Sequence, residues 1–201
     1  MTESPAYTVE NKDKDIEIRV YPGYILAQVD IEADFDKAMG LGFSILANYI
    51  FGGNKKKSNI SMMAPVSGEN ISSSEKIAMT IPVTEEAIGS EKISMAAPVT
   101  EEDAGPHIYR ISFTMPSKYT LETLPIPDDE RIKFKEVKNQ KMAVLRFKGR
   151  VHHKLANMEV EELKNWLEKN NIKAKTNFII AQYNNPAVPG FLRRNEVMVE
   201  V

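Results

Sequence analysis

Residues Ile16–Ile31, IEIRVYPGYILAQVDI, decide the fold that the sequence predicts. The first five positions alternate between branched apolar residues and Glu17 or Arg19, which is the pattern of a half-buried strand. Pro22-Gly23 predicts a turn, with a further strand after it. Apolar residues then recur at helical spacing after Asp34, a suitable N-cap. The stretch is therefore interpreted as a pair of strands that leads into a helix.

A second stretch repeats this arrangement. It is Ile132–Phe147, IKFKEVKNQKMAVLRF, which has the same length of 16 residues and also precedes a predicted helix. We infer an internal duplication with a pseudo-twofold axis, in a single domain, 1–201, made of half-repeats about 7–105 and 106–201. The strands are expected to form one strongly curved antiparallel sheet or a distorted barrel, with two helices packed on it.

The two predicted helices differ in composition. The first ends at Gly52-Gly53 and contains Gly40 and Gly42, each of which weakens a helix by about 1 kcal/mol relative to alanine. That cost suggests that another element or a ligand closely approaches the helix surface. The second helix spans Val151–Asn170. Its predicted apolar stripe consists of Leu155, Met158, Leu163, Trp166 and Leu167.

Between the two halves the motif Ile-x-Met-x-x-Pro-Val occurs three times, starting at Ile60, Ile77 and Ile93. Each copy predicts a short strand that stops or bends at its proline, because proline cannot donate to a sheet ladder. The methionines of the three copies either fill the core, line a pocket for a flat apolar ligand, or offer a thioether to a soft metal. These methionines are Met62, Met79 and Met95. We expect Ile60, Met62, Ile77 and Met79 in the core, and at least one copy as an exposed elaboration.

The composition argues against several classes of protein. A net charge of −2 with mixed signs argues against nucleic-acid binding, which needs a basic face. The sequence has no cysteine, which excludes disulfides, thiolate catalysis and cysteine-based metal sites. No stretch approaches the roughly 20 apolar residues of a membrane span, and Met1–Ala6 lacks a signal-peptide core. We expect a cytoplasmic monomer.

Few polar groups are candidates for chemistry. His107 is interpreted as a surface loop residue. His152 and His153 open the second helix, where either one caps the helix, faces solvent or serves as a ligand. The cluster Arg193–Glu196 either anchors the last strand through arginine–carboxylate bonds or meets a carboxylate of a ligand. Glu196 with Tyr183 is the one acid/base pair that an enzymatic reading offers.

Several segments together resemble the SOUL / haem-binding protein family. They are Asn48–Asn54 (NYIFGGN) followed by Ile-x-Met-x-x-Pro-Val, Phe113–Pro125 (FTMPSKYTLETLP), Val144–Gly149 (VLRFKG), Tyr183–Pro186 (YNNP) and Phe191–Val197 (FLRRNEV). The resemblance covers nearly the whole chain in the same order. The fold that it implies is α+β: a distorted antiparallel β-barrel of two pseudo-twofold-related halves flanked by two α-helices. The chain is also similar to the effector-binding domains related to the gyrase inhibitor.

The resemblance implies tetrapyrrole binding in a shallow groove between the first helix and the loop before the last strand. The residues carried over to this groove are Phe43, Ala47, Tyr183, Pro186, Val188 and Phe191, and Met62 of the first motif copy is added to them. The positions that match the cationic propionate partners of animal members are Gly40, Asn48 and Val188, which are uncharged. The axial iron ligand is unknown.

The resulting hypothesis is a non-enzymatic carrier or buffer that binds haem or another tetrapyrrole weakly and largely through apolar contacts. One alternative is a small-molecule or protein-binding module of the same fold without haem. Another is a tetrapyrrole-modifying enzyme or an enzyme that hydrolyses a small ligand.

Overall fold

A computed structural model describes residues 4–55, 77, 83–87, 107–184 and 187–201. The strands are β1 (Thr8–Asp13), β2 (Ile16–Ala33), β3 (Asn54–Lys55), β4 (Val83–Ala87), β5 (His107–Thr114), β6 (Ile126–Pro127), β7 (Lys133–Phe147), β8 (Ile179–Gln182) and β9 (Asn195–Glu200). The helices are α1 (Phe35–Ile50), α2 (His153–Lys169) and a short 3-10 helix (Gly190–Leu192).

Six strands close an antiparallel barrel. The hydrogen-bonded order is β2-β5-β4-β8-β9-β7, and β7 pairs back to β2. The extra strand β1 lies beside the first part of β2, and β3 pairs with β6 in a separate two-stranded sheet. The predicted α+β barrel with two flanking helices is therefore confirmed.

The two halves repeat one order of elements. A long strand, a helix and two further strands follow each other as β2-α1-β4-β5 and as β7-α2-β8-β9, with the same order of strand pairing in each. This pairing groups β5 with the first half, whereas the sequence-based division placed 106–201 in the second. An internal duplication stays a prediction that this order supports.

The predicted turn at Pro22-Gly23 is wrong, because β2 is one strand that runs through it. β2 and β7 keep one register on both sides, with Tyr21 opposite Gln140 and Gly23 opposite Lys138. Pro22 thus stands opposite Asn139, which has a positive φ of 47°. Pro22 has no N–H to donate, and Asn139 opposite it has a left-handed backbone conformation. Together they interrupt the β2–β7 ladder at this pair, so both strands bend there, and the same register continues beyond it.

The bend also exchanges the faces of both strands. Before it, Ile16 and Ile18 of β2 lie in the apolar core under α2; after it, Ile25 and Ala27 lie in the core under α1. Even-numbered residues face outward before Pro22, and odd-numbered residues do so after it. A smaller third cluster fills the barrel interior and consists of Tyr21, Met142, Val144, Ala181 and Met198. Two outer cores and one inner core follow from this exchange.

The structure confirms most of what the sequence predicted for the two helices. A Cβ built on Gly42 would lie 2.3 Å from Cγ1 of Ile111 on β5, so the expected close approach occurs there. A Cβ on Gly40 meets no described atom within 4 Å. On α2, Leu163 and Leu167 are buried, but Met158 is 60% exposed and does not belong to the apolar stripe. No helix in the described part of the chain is long and apolar enough to cross a membrane.

Most of the motif copies lie outside the described residues, including Ile60, Met62, Met79 and Met95. Ile77 is described and 2% exposed, as expected. Its N–H donates to the carbonyl of Ile50 over 2.7 Å, which ties the second copy to the end of α1.

The two glycines of α1 provide a matched test of this packing. We expect Gly42→Ala to destabilise the protein by about 1–3 kcal/mol, because the added methyl overpacks against Ile111. Gly40→Ala is expected to stabilise it by up to about 1 kcal/mol, since the position is open and alanine favours helix. Urea unfolding of both variants measures the difference. Equal effects of the two substitutions would contradict the close contact of α1 with β5.

Candidate functional site

A carboxylate and two guanidinium groups meet inside the barrel. Glu196 on β9 has no solvent exposure, and Arg19 on β2 is 2% exposed. Arg19 donates from Nη1 to Oε2 of Glu196 over 2.9 Å and from Nη2 to Oε1 over 3.0 Å. Arg194 donates from Nε and Nη2 to Oε1 over 3.1 and 2.6 Å. The Tyr183 hydroxyl donates to Oε2 over 2.5 Å. We call these four residues the inner ion cluster.

The inner ion cluster carries a net charge of +1, from two arginines and one glutamate. A second carboxylate, Glu17, accepts from Nε of Arg19 over 2.8 Å. Glu17 is itself paired with Lys12, whose Nζ lies 2.9 Å from Oε1. Lys12 is 64% exposed, whereas Glu17 is 16% exposed, so Glu17 supplies a second counter-charge to Arg19 and Arg194 has Glu196 alone as its carboxylate partner in the cluster.

The ionisation states follow from burial and pairing. Burial alone raises the pKa of Glu196, but the hydrogen bonds and charge of Arg19, with Tyr183 and Arg194, outweigh it and lower the pKa. Burial alone lowers the pKa of Arg19, yet Glu196 raises it overall. Burial and the nearby Glu196 charge raise the pKa of Tyr183. The cluster therefore holds charged arginines, a charged carboxylate and a neutral phenol at neutral pH.

A cavity of about 40 Å³ lies beside the cluster and has an aromatic wall. Tyr7, Tyr21, Tyr24 and Tyr183 line it together with Arg194. Ring centroids of Tyr7 and Tyr21 are 5.3 Å apart, and those of Tyr21 and Tyr24 are 5.8 Å apart. At roughly 10–15 Å³ for each water, the cavity has room for about three water molecules. We call it the inner pocket.

Both arginines of the cluster stack on tyrosines of the inner pocket. The guanidinium carbon of Arg19 lies 4.3 Å from the ring centroid of Tyr7. That of Arg194 lies 4.2 Å from the ring centroid of Tyr183. Such stacking is attractive through the negative face of the ring. The tyrosine faces nearest the cluster are thus already occupied by cations.

The cluster confirms one sequence prediction and adds a residue that the sequence analysis missed. The arginine–carboxylate bonds expected to anchor the last strand are present, because Glu196 of β9 bonds Arg19 of β2 as well as Arg194. Arg19 was interpreted as the polar side of a half-buried strand, but that side faces the closed barrel. The available signal was Tyr21, an aromatic residue on the same strand face.

The residues predicted for the tetrapyrrole groove do not all come together. Phe43 and Ala47 are half-buried on α1, and Phe43 packs against Phe113 with ring centroids 5.3 Å apart. Tyr183 lies on the other side of the barrel wall, in the inner pocket, since the wall residue Ile25 belongs to the α1 core and its neighbour Tyr24 lines the pocket. The groove itself stays a prediction, without Tyr183 beside Phe43.

The late loop is anchored next to α2. The carbonyl of Gly190 accepts from the N–H of Gly149 over 3.1 Å, and the Val188 carbonyl accepts from Nε of Arg193 over 2.7 Å. Val188 is half-buried and Phe191 is 72% exposed. Met62 and Pro186 lie outside the described residues.

The histidines have structural contacts. His152 is the N-cap of α2, where its Nδ1 accepts from the N–H of Leu155 over 3.3 Å. The ring of His153 lies 5.8 Å from that of Phe35, at the contact between the two helices. His107 begins β5 rather than lying in a loop. Within the described ranges no three His, Asp or Glu side chains form a group suited to a metal ion.

The fold and the cluster define a class: a six-stranded α+β barrel with a charged, aromatic-walled interior. Residues 2–200 match the family described as SOUL heme-binding protein, and the chain belongs to this family. No sequence match is found among curated proteins.

Three solved structures share the fold at low sequence identity. An uncharacterized conserved protein from Listeria innocua is 12% identical, with a TM-score of 0.58 over 93% of this chain and 92% of the other. A hydrolase from Listeria innocua is 13% identical, with a TM-score of 0.54 over 94% and 93%. The EcmrR C-terminal domain is 10% identical, with a TM-score of 0.58 over 96% of each chain. At these identities the likeness extends to the fold alone.

The buried carboxylate predicts a specific dependence of stability on pH. We expect Glu196→Gln to reduce the free energy of unfolding by about 3–5 kcal/mol, because it removes the buried counter-charge that the buried Arg19 and the half-buried Arg194 share. Because folding lowers the pKa of Glu196, its contribution is present above the ordinary value of 4.5 and is lost as the pH falls through the lowered value. The variant should therefore lose less stability than wild type below pH 4.5.

Urea unfolding at a series of pH values measures this difference. Glu200→Gln is the matched control, since Glu200 lies on the same strand, is half-buried and accepts from Gln140 over 2.9 Å. A loss below about 1 kcal/mol for Glu196→Gln would contradict the central place of the carboxylate.

Proposed function

We propose that this protein is a non-enzymatic carrier or buffer that binds haem or a related tetrapyrrole weakly, against the outer surface of α1. Membership of the SOUL heme-binding protein family supports the ligand class. The observation that carries the location is the composition of α1. No residue from Ala38 to Ile50 is charged, although 27% of the chain is.

The outer surface of α1 suits a flat apolar ligand. Gly40 adds no side chain there, Leu41 is 45% exposed, and Phe43 and Ala47 are half-buried. A macrocycle laid on this surface buries apolar area, which contributes about 25 cal/mol per Å² before the costs of association. Its propionates would extend to solvent.

Haem binding is expected to be weak because the described residues provide neither a cation for the propionates nor an available histidine for the iron. The positions that match the family's propionate partners, Gly40, Asn48 and Val188, carry no charge. His152 caps α2 and His153 packs on Phe35, so both have other contacts. An affinity in the micromolar range or weaker, roughly −8 kcal/mol or less favourable, is expected.

The inner ion cluster supports a role without catalysis. An acid or base that works at neutral pH needs a pKa close to it. The pKa of Glu196 is lowered and that of Tyr183 is raised, so the two move away from neutrality in opposite directions.

A second candidate function is favoured by the inner pocket. A small-molecule-binding module without haem would use the barrel interior, where four tyrosines and Arg194 line a cavity. Sites of this kind combine an apolar wall with a few placed polar groups.

Charge at position 40 tests the proposed haem surface. We expect Gly40→Arg to tighten haem binding about two- to fivefold relative to Gly40→Ala, because an exposed ion pair with a propionate contributes about 0.2–1 kcal/mol. Gly40→Glu should weaken binding by a similar factor. All three variants favour the helix over glycine, so their differences report charge. Haem titration followed by absorbance measures the affinities.

A second set of titrations tests how the iron is held. With His152→Ala/His153→Ala we expect an affinity within about twofold of wild type, since these side chains cap and pack α2. Nanomolar binding that this double substitution abolishes would contradict the proposal and indicate a ligated site. An absence of any spectral change in wild type would favour the second candidate function.

A further inference from the structure

The inner pocket and the N-terminal segment that covers it form a second site, which haem binding on the outer surface of α1 would not involve. We propose that the barrel interior binds a small aromatic monoanion, such as an aryl carboxylate, with Arg194 as its cationic contact. This inference rests on the second candidate function and names its ligand class.

Arg194 is the group that selects an anion. It shares Glu196 with Arg19. Arg19 has a second carboxylate partner in Glu17, so Arg194 is the arginine with the less complete counter-charge. Arg194 lines the pocket with 32% of its side chain exposed, while Glu196 lies behind it with none exposed. A guanidinium carries five N–H donors; Glu196 engages Nε and Nη2 of Arg194, and Tyr7 also forms a side-chain hydrogen bond with this guanidinium. An incoming carboxylate therefore meets the cation before the buried carboxylate.

The same geometry disfavours a cationic ligand. Aromatic walls often bind cations on their ring faces. Here the faces of Tyr7 and Tyr183 already hold Arg19 and Arg194. A ligand cation would enter next to Arg194 and be repelled. The rings of Tyr21 and Tyr24, with Ile179 and other aliphatic side chains, suit the apolar body of the ligand.

Entry requires the N-terminal segment to move. The inner pocket of about 40 Å³ is too small for an aryl acid as it stands. A hollow of about 530 Å³ adjoins it at the bend of β2 and β7, and both are lined by Ser4, Pro5, Tyr24 and Thr114. Ser4 and Pro5 thus stand between the two spaces. Displacing them joins the hollow to the pocket and gives a volume in the range of about 300–1,000 Å³ that small-molecule sites have.

Three ligands of similar shape and different charge test whether the inner pocket prefers an aromatic anion. They are 2-naphthoate, neutral 2-naphthamide and cationic 2-naphthylmethylamine, each titrated into the full-length protein by calorimetry. We expect naphthoate to bind at least tenfold more tightly than either of the others. Naphthamide or the amine binding as tightly as naphthoate would overturn the anion preference while leaving the second candidate function in place. No binding of any of the three would overturn both.

Variants locate the cation. Arg194→Gln is expected to reduce naphthoate binding about tenfold, to the level of naphthamide, and to leave naphthamide within twofold. Arg150→Gln, at an exposed arginine after β7, is the matched control and should change neither. Arg194→Lys keeps the charge and should keep most of the preference, which answers the case in which Arg194→Gln does not fold. Unchanged naphthoate binding in a folded Arg194→Gln would overturn the role of Arg194.

A label reports whether Ser4 and Pro5 move. Because the chain has no cysteine, Ser4→Cys carries a single environment-sensitive dye, and Lys173→Cys on an exposed loop carries the control. We expect naphthoate to change the emission of the first label, with the same midpoint as the calorimetry, and to leave the second unchanged. Binding without any change at the first label would overturn entry past this segment.

Discussion

The rest of the structure depends on the antiparallel pairing of β2 with β7. The two longest strands pair from Ile16 opposite Leu145 to Gln28 opposite Lys133, and each leads directly into a helix. Their shared bend at Pro22 and Asn139 exchanges the strand faces, so one half of each strand lies under α1 and the other under α2. Two long strands and four shorter ones close the barrel, and both helices pack against the same β2–β7 ladder.

The exchange of faces also creates the interior. Residues that continue the inner surface across the bend, Tyr21 and Tyr24, come from opposite parities of one strand and still lie 5.8 Å apart. Glu196 joins this surface from β9 and Arg19 from β2. A buried ion pair is weak grounds for stability, because desolvation offsets much of its Coulombic attraction. The retention of three charges in this small interior is therefore better explained by specificity or by a ligand than by stability.

Two surfaces of the molecule thus have opposite chemistry. The outer face of α1 carries no charge from Ala38 to Ile50, while the inner pocket is small, aromatic and lined by the cation Arg194. The barrel wall separates them, with Phe113 packed against Phe43 on the outside and its neighbour Thr114 lining the pocket. The proposed tetrapyrrole would use the apolar surface of the first, and the proposed aryl acid the charge of the second. The two proposals can succeed or fail independently because, among the described residues, the side chains argued for one site differ from those argued for the other.

The sequence by itself determined where β2 and α1 begin. Alternation in Ile16–Val20 and helical spacing after Asp34 are local signals, and β2 and α1 begin where these signals predict. Family membership also follows from the sequence alone, since residues 2–200 match the SOUL heme-binding protein family. Because Gly42 weakens the helix, its presence predicted that another group packs closely against α1. The sequence did not show that this group is Ile111 of β5.

Only the tertiary structure decided what the polar residues of the strands contact. Pro22-Gly23 is a turn signal over a few residues, but the partner strand β7, more than a hundred positions away, supplies pairing on both sides and keeps β2 continuous. Arg19 has the local pattern of a solvated charge, and closure of the barrel buries it against Glu196, 177 positions along the chain. Phe43 and Tyr183 were grouped by resemblance, and the wall between them separates their side chains. In each case the deciding relation is between residues far apart in the chain. Sequence periodicity within one helix or strand carries no information about such long-range contacts.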